Sequence, residues 1–134
     1  PGAGGTQRLP RLVGLDTALN MIVSGAPVPA ARLQRTALFD AVVDGDLRAA
    51  AVRFAAKAAD DKLPLKRARD LRIDDPYGEP YLQFARNTVA ATAKHFPAPL
   101  KCVEAVAAAY FKPFDEGMKI EREAFLWLLG TPES

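Results

Sequence analysis

Glycine and proline divide the chain into short segments in which apolar residues recur at the spacing of an α-helix. The segments end at Gly14, Gly25, Pro97, Pro113 and Gly130. Glycine ends a helix because it adopts left-handed backbone without strain, and proline because it lacks an N–H group and clashes with the preceding turn. This pattern predicts a mainly α-helical protein built from short helices.

The same pattern predicts where the helices lie. Their expected ranges are 6–13, 16–24, 30–36, 46–59, 80–96, 100–110 and 115–129. Thr6, Asp16 and Asp115 are the expected N-caps, because their side-chain oxygens can accept a hydrogen bond from the first helical turn. In the last helix we expect four apolar side chains to face inward, namely Met118, Phe125, Leu126 and Leu129.

Two stretches break the helical pattern. Residues 38–43 contain the β-branched pair Val42-Val43 and precede Asp44-Gly45, which predicts one short strand. Residues 60–79 contain eleven charged residues among 20, so we expect a solvated connection that is partly disordered or lies over a neighbouring element. The expected organisation is a single partial domain in three parts: residues 1–59, a charged linker over 60–79, and C-terminal helices over 80–134.

The composition excludes several classes of protein. The 134 residues suffice for one domain, and a net charge of +2 does not specify a nucleic-acid partner. The longest stretch without a charged side chain, residues 17–31, is interrupted by glycine and proline, so no membrane span is predicted. The single cysteine excludes an internal disulfide and a Cys-based zinc site. No secretory signal is visible, and the expected location is cytoplasmic.

The glycine-rich opening and a basic cluster are candidate phosphate sites. Gly2, Gly4 and Gly5 would let backbone N–H groups approach an anion, but the third glycine of a dinucleotide fingerprint and the lysine of a P-loop are missing. A structural turn is therefore the favoured interpretation. Because aspartates alternate with the basic residues and no aromatic residues lie between them, a solvated linker is the favoured interpretation of the cluster. That cluster comprises Lys62, Lys66, Arg67, Arg69 and Arg72.

The remaining candidates are isolated in the sequence. A position at a helix end or on the surface is favoured for His95 over a role as general base. A small buried hydrophobe is favoured for Cys102 over a reactive thiol. Glu121 and Glu123, with Arg122 between them, are expected on the exposed face of a helix. Spacing alone assembles no complete catalytic constellation and no metal site.

The first fourteen residues, PGAGGTQRLPRLVG, resemble the signature segment of the enoyl-CoA hydratase/isomerase (crotonase) superfamily. The similarity continues through residues 18–21, 24–25 and 38–43. The run PFDEG (113–117), with Glu121, Glu123 and Phe125 and the final TPES, resembles the end of the hydratase domain in bifunctional enzymes that also contain a 3-hydroxyacyl-CoA dehydrogenase. Residues 60–79 carry little of this resemblance.

The resemblance implies the C-terminal helical part of a crotonase fold, without its N-terminal β-spiral core. It implies a parent enzyme that adds water to 2-enoyl-CoA thioesters in fatty-acid β-oxidation. In that family two glutamates act as acid and base, and two backbone N–H groups hold the thioester oxygen. All four groups lie upstream of the glycine turn. The chain alone is therefore expected to be an inactive fragment, with no cofactor and with coenzyme A entering as part of the substrate.

Two kinds of site residue map onto this chain through the resemblance. Gly2 matches the residue whose backbone N–H holds the catalytic water. Phe114, Phe125 and Trp127 are candidates for packing around an acyl chain, although core packing is the simpler interpretation of each. The helices are expected to pack on the missing N-terminal part or in a homo-oligomer, and a non-catalytic assembly module is the alternative function.

Overall fold

A computed structural model describes residues 2–134, and every regular element in that range is helical. The elements are α1 (Gly5–Val13), α2 (Leu15–Ser24), α3 (Ala30–Leu33), α4 (Leu47–Asp60), a 3₁₀ turn (Ala68–Asp70), α5 (Gly78–Thr92), α6 (Pro97–Phe111) and α7 (Phe114–Leu129). The mainly helical class is confirmed, with each predicted helix present and its ends shifted. Pro1, the first residue of the family-like motif, lies outside the described residues. Within them, no helix is long and apolar enough to cross a membrane.

Helix α6 is the centre of the packing, because it contacts α1, α2, α5 and α7. Its alanines allow these neighbours to approach closely, while Val103 and Val106 fill the space between α2 and α5. The main core cluster consists of Leu15, Leu19, Leu82, Ala85, Val103 and Val106. Burying each larger apolar side chain contributes roughly 1.5–3 kcal/mol, so this cluster holds α2, α5 and α6 together.

A second cluster fixes α1, α2 and α3. Its buried members are Val13, Ala18 and Leu33. Helices α1 and α2 meet at Gly14, whose φ of 85° is accessible to glycine but strained for other residues. The backbone N–H of Ala37 donates to the carbonyl of Leu12 at 2.9 Å and ties the chain beyond α3 to α1.

The three expected N-caps each lie two residues inside their helix. The actual N-caps are Gly4, Gly14 and Pro113, and none of them supplies a side-chain cap. The displaced side chains instead make contacts between elements. Thr6 donates to Glu121, Asp16 accepts from the hydroxyl of Tyr81, and Asp115 pairs with Arg69. Sequence periodicity locates a helix start to within a turn, but it does not tell a local cap from a long-range one.

The α4 segment, residues 41–67, lies outside both clusters. Asp46 caps its helix, since the carboxylate accepts a hydrogen bond from the N–H of Ala49 at 3.0 Å. No residue of α4 is buried, and Leu47, Val52 and Phe54 remain 70%, 64% and 45% exposed. This helix therefore forms from alanine-rich propensity and capping rather than from packing.

The strand predicted over residues 38–43 is wrong for the part of the chain that the structure describes. Leu38 packs against the second cluster, while Phe39 and Val43 are 38% and 41% exposed. A strand is stable only when a neighbouring strand completes its backbone hydrogen bonds, and residues 2–134 contain no second strand. Val42 and Val43 favour a strand, but the described residues contain no strand with which they could pair.

Residues 60–79 are partly docked rather than a free linker. Their 3₁₀ turn packs on α1, and Ile73 contacts the main core cluster. The guanidinium of Arg69 pairs with Asp115 of α7 at 2.7 Å. The carbonyl of Asp75 accepts a hydrogen bond from the hydroxyl of Tyr110 at 2.9 Å. The alternative that this stretch lies over a neighbouring element therefore fits its second half.

Helix α7 buries a different side from the one expected. Its buried residues are Gly117 and Glu121. Three of the side chains expected to face inward are exposed, at 37% for Phe125, 50% for Leu126 and 56% for Leu129, and the fourth, Met118, is half-buried. The side of α7 that faces the start of α1 is the one that carries Glu121, and the apolar stripe lies on the other side.

Candidate functional site

The candidate site is built around the glycine-rich turn, residues 2–6. The turn is tight: Ala3 and Gly4 have φ of 54° and 84°, and the N–H of Gly5 donates to the carbonyl of Gly2 at 3.3 Å. The positive φ of Gly4 favours glycine, and a Cβ there would displace the ends of the Arg8 and Met118 side chains, which lie 2.5 and 2.9 Å away. The turn leads directly into α1. The first N–H groups of an α-helix have no hydrogen-bond acceptor within the helix itself.

Local carbonyls accept hydrogen bonds from the N–H groups of Gly5 and Gln7, and Glu121 of α7 accepts those of two others. One carboxylate oxygen accepts from the N–H of Gly4, and the other accepts from the N–H of Thr6 at 2.9 Å and from the Thr6 hydroxyl. Glu121 is only 3% exposed, which overturns the expectation that it lies on an exposed face. Its neighbours Arg122 and Glu123 are exposed, as expected. Spacing missed Glu121 because its partners are more than a hundred residues away; its one local signal is Gly117, a small residue one turn earlier on the same face.

Gln7 links the turn to the centre of the fold. It is fully buried, and its amide nitrogen donates to the carbonyl of Ala105 in α6 at 2.7 Å and to the Thr6 hydroxyl at 3.0 Å. The amide oxygen of Gln7 lies against Gly117, where a Cβ would overlap it. Among the described residues that oxygen has no hydrogen-bond donor. Residues 2–7 are therefore held by α6 and α7 together.

Of the residues assigned through the resemblance, the structure brings Gly2 and Phe125 together. A Cβ on Gly2 would lie 3.2 Å from the ring of Phe125, so the ring packs against the backbone of Gly2. The two residues line a cavity of about 450 Å³, together with Ala3, Met118, Glu121 and Arg122. Phe125 also borders a cavity of about 280 Å³ near Phe96. One aromatic ring thus lies between the glycine turn and an apolar recess.

The other two aromatic candidates lie elsewhere. The ring of Phe114 is flanked by two guanidinium groups, those of Arg11 and Arg69, each 5.2 Å from its centroid. Trp127 is 54% exposed, and the ammonium of Lys101 lies 5.4 Å from its ring. Neither residue lines the cavity beside Gly2. Their acyl-chain role stays a prediction, with cation–π packing as the contact that the structure records.

The isolated candidates do not join the site as catalysts. His95 is exposed and borders a separate cleft that also contains Trp127. Cys102 is buried in α6, and burial raises the pKa of its thiol, which favours the unreactive protonated form. No group of His, Cys, Asp and Glu in residues 2–134 is arranged to hold a metal ion.

The basic cluster is largely neutralised by carboxylates. Lys66 pairs with Asp40 at 2.6 Å, Arg67 with Asp70 at 2.6 Å, and Arg69 with Asp115. These pairs are exposed, so they contribute little to stability, but they leave no concentrated positive field to attract a phosphate. The paired side chains are exposed, but the 3₁₀ turn packs on α1 and Arg69 contacts α7, so residues 62–72 are not simply the solvated linker that was expected.

The cavity beside Gly2 is lined by backbone groups of the turn, the ring of Phe125 and one carboxylic acid, Glu121; no second carboxylic acid lines it. Glu121 is the buried acid at the turn, and its oxygens accept hydrogen bonds from three protein donors. Acid–base catalysis needs a carboxylate that can reach the reacting atoms. Because the carboxylate of Glu121 is already bonded to the turn, these residues by themselves do not form an acid–base pair.

Comparison with known proteins gives a consistent set of relatives. No family model matches the chain. Over 135 residues it is 36% identical to the peroxisomal bifunctional enzyme of Danio rerio, and over 140 residues it is 36% identical to the enzymes of that name from Homo sapiens and Pongo abelii. Each alignment covers 100% of this chain and 19% of the relative, so the chain spans about a fifth of the proteins it matches. The chain is homologous to peroxisomal bifunctional enzymes along its whole length.

Proposed function

We propose that this chain is the C-terminal helical part of an enoyl-CoA hydratase/isomerase domain, in an enzyme of fatty-acid β-oxidation that is fused to a 3-hydroxyacyl-CoA dehydrogenase. The observation that carries the proposal is the glycine turn itself. Its sequence resembles the family signature, and Glu121, Gln7 and Phe125 hold it in one conformation beside a cavity. The relatives' name, bifunctional enzyme, supports the fused architecture.

In this proposal the chain contributes a water-binding backbone group and part of the acyl site. Hydration adds a hydroxyl to the β-carbon of a 2-enoyl thioester and a proton to the α-carbon. The N–H of Gly2 orients the water, and the ring of Phe125 contacts the first carbons of the acyl chain. The two acid–base glutamates and the oxyanion donors come from polypeptide outside residues 1–134. Coenzyme A enters with the substrate, and this chain needs no cofactor of its own.

The test is hydration of crotonyl-CoA, followed as loss of absorbance of the conjugated thioester. The 134-residue chain alone is expected to show no turnover above a buffer blank, because it lacks the acid–base pair. Turnover well above the blank would contradict the proposal. Reading the coding sequence upstream of Pro1 is a second check, since the proposal requires a glutamate within a few positions of it.

Gly2 and Phe125 can be tested in a longer chain that carries those upstream groups. Gly2→Pro removes the N–H and should lower kcat by roughly a hundredfold, the scale seen when a positioning hydrogen bond is lost. Gly2→Ala keeps the N–H and is the matched control, because its Cβ would approach only the edge of the Phe125 ring, at 3.2 Å. If Gly2→Pro and that control lose activity equally, the N–H of Gly2 does not hold the water.

A second candidate function is an assembly module, favoured by the exposed apolar side chains of α4. Leu47, Val52 and Phe54 are placed where another polypeptide could cover them, either a second copy of this chain or the missing N-terminal part. Sedimentation at micromolar concentration tests the first possibility. A dimer or trimer that Phe54→Asp dissociates would support it, and a clean monomer would contradict self-association.

The cytoplasmic location stays a prediction. The relatives carry a peroxisomal name, which places those proteins in a different compartment. The expectation that nucleic acid is not a partner likewise rests on charge alone.

A further inference from the structure

Glu121 is the one residue of α7 whose side chain reaches into the glycine turn with both of its polar atoms. Its carboxylate takes three donors, the N–H groups of Gly4 and Thr6 and the hydroxyl of Thr6. A carboxylate that is 3% exposed would be costly without partners, and charge-assisted hydrogen bonds are the kind that offset this cost. The positive end of the α1 dipole adds to the stabilisation.

Local contacts close the start of α1 only in part. The N–H of Gly5 donates to the carbonyl of Gly2, but the N-cap, Gly4, has no side chain and no neighbouring side chain caps the helix. Most helices take this cap from a nearby Ser, Thr, Asp or Asn. Here the cap comes from another helix near the far end of the chain, so the orientation of the turn depends on the docking of α7.

Three successive turns of α7 contact residues 2–7. Gly117 lies against Gln7, Met118 and Glu121 lie at Gly4, and Phe125 lies against Gly2. Of these contacts, Glu121 alone provides directional hydrogen bonds, which fix the rotation of peptide planes as well as their distance. Apolar packing by Met118 and Phe125 leaves that rotation less restricted.

We propose that Glu121 is a positioning residue, which fixes the backbone of residues 2–6 and thereby holds Gly2 at the edge of the cavity that it lines with Phe125. The structural part of this inference stands alone, whereas its catalytic consequence rests on the proposed hydratase function. Glu121 does not itself transfer a proton in this account. It acts on the reaction only through the turn.

Amide hydrogen exchange of the 134-residue chain tests the structural part. Glu121→Gln places an amide where the N–H of Gly4 needs an acceptor, so exchange at Gly4 and Thr6 should accelerate about tenfold or more. Exchange at Val106 in the core should stay within about twofold, as should all sites in the matched control Glu123→Gln, an exposed acid on the same helix. Unchanged exchange at Gly4 and Thr6 in Glu121→Gln would overturn the proposal.

If Glu121→Gln does not fold, the Thr6 variants give the same information. Thr6→Ala removes one of the three donors and should accelerate exchange at Gly4, whereas Thr6→Ser keeps the hydroxyl and should restore protection. Equal exchange at Gly4 in these two variants would overturn the proposal, because a packing defect would affect both.

Kinetics of the longer, active chain test the catalytic part. Glu121→Gln should lower kcat for crotonyl-CoA by roughly tenfold to a hundredfold, with KM within about twofold and the pH profile unmoved. A shifted pH profile would make Glu121 an acid or base and overturn its assignment as a positioning residue. If the longer chain hydrates no enoyl thioester, the proposed function fails, while the exchange result still decides whether Glu121 fixes the turn.

Discussion

Helices α4 and α6 have similar lengths and alanine-rich sequences, yet one is buried and the other is not. Helix α6 has 15 residues and buries six of them, whereas α4 has 14 residues and buries none. Both form because alanine favours the helical backbone. They differ because four helices surround α6 and none of them packs on α4. Helical periodicity therefore predicts that a helix forms, but burial depends on surfaces supplied by other parts of the chain.

The largest difference between the packed helices and α4 is expected when a larger side chain is introduced into each. Gly117→Ala puts a methyl group into the buried amide of Gln7 and should lower the free energy of unfolding by about 2–3 kcal/mol. Ala51→Leu adds more atoms to α4 but on an exposed site, so its effect should stay within about 0.5 kcal/mol. Urea unfolding followed by circular dichroism measures both. Equal losses would mean that the α4 segment is as tightly packed as the core.

Removing atoms provides a matched pair of identical substitutions. Val106 is fully buried and Val52 is 64% exposed. Val106→Ala should destabilise the protein by about 2 kcal/mol, through lost burial and the cavity left behind. Val52→Ala should be neutral or slightly stabilising, because alanine is the better helix former. A comparable cost at Val52 would show that α4 is covered in solution, which would favour the assembly function.

Removing the N-cap of α4 tests whether the stability of this helix is independent of the stability of the core. Asp46→Ala removes the side-chain acceptor of the Ala49 N–H, a loss of about 1 kcal/mol for the helix it caps. Because α4 is not packed, the expected result is a smaller helical signal with an unchanged unfolding midpoint of the core. The control is Asp44→Ala, two residues earlier and exposed. If the unfolding midpoint is lowered in Asp46→Ala but not in Asp44→Ala, then α4 is energetically coupled to the packed helices.

The smallest expected effect is a pH dependence within the packed region. Burial, with the hydrogen bond to Asp16, raises the pKa of Tyr81 to about 12. The folded state holds the phenolic proton more tightly than the unfolded state, whose pKa is near 10. This contribution to stability is fully present below pH 10 and is lost as the pH rises to about 12. Over that interval, Tyr81→Phe should lose less stability than the unsubstituted chain; identical slopes would contradict the assignment.

Much of the helical framework is predictable from local chemistry. Gly14 and Gly25 end α1 and α2 as expected, because both need positive φ at those points. Pro97 starts α6 and Pro113 separates α6 from α7, since proline is favoured at a helix start; Pro10, inside α1, is an exception. These effects act over a few residues, so the sequence alone contains the necessary information.

The errors arise where a distant partner decides the outcome. Residues 38–43 have the composition of a strand, but a strand needs a neighbour that the described residues lack. Phe125, Leu126 and Leu129 have the spacing of a buried stripe, but the side of α7 that faces the start of α1 is the one that carries Glu121. A carboxylate on a helix resembles a solvated charge unless its donors are known.

In the candidate site too, the sequence identifies residues but not the contacts that distant residues make with them. The resemblance identified Gly2 and Phe125, which the structure places in contact, and it also identified Phe114 and Trp127, which lie apart from them. Glu121 was part of the resembling motif, but its contacts were not foreseen, because a family signature names residues without giving their neighbours. Gln7 lies in the same motif, and its full burial depends on neighbours that the signature does not give.

The hydrogen bond between Thr6 and Glu121 joins positions 115 apart in sequence, with consequences for synthesis on the ribosome. The first helix leaves the exit tunnel long before the residue that completes it has been translated. During that interval its leading amides are bonded to water, and the glycine turn lacks the carboxylate that holds it. Closing so long a loop late should make the final folding step slow, even though each helix forms quickly.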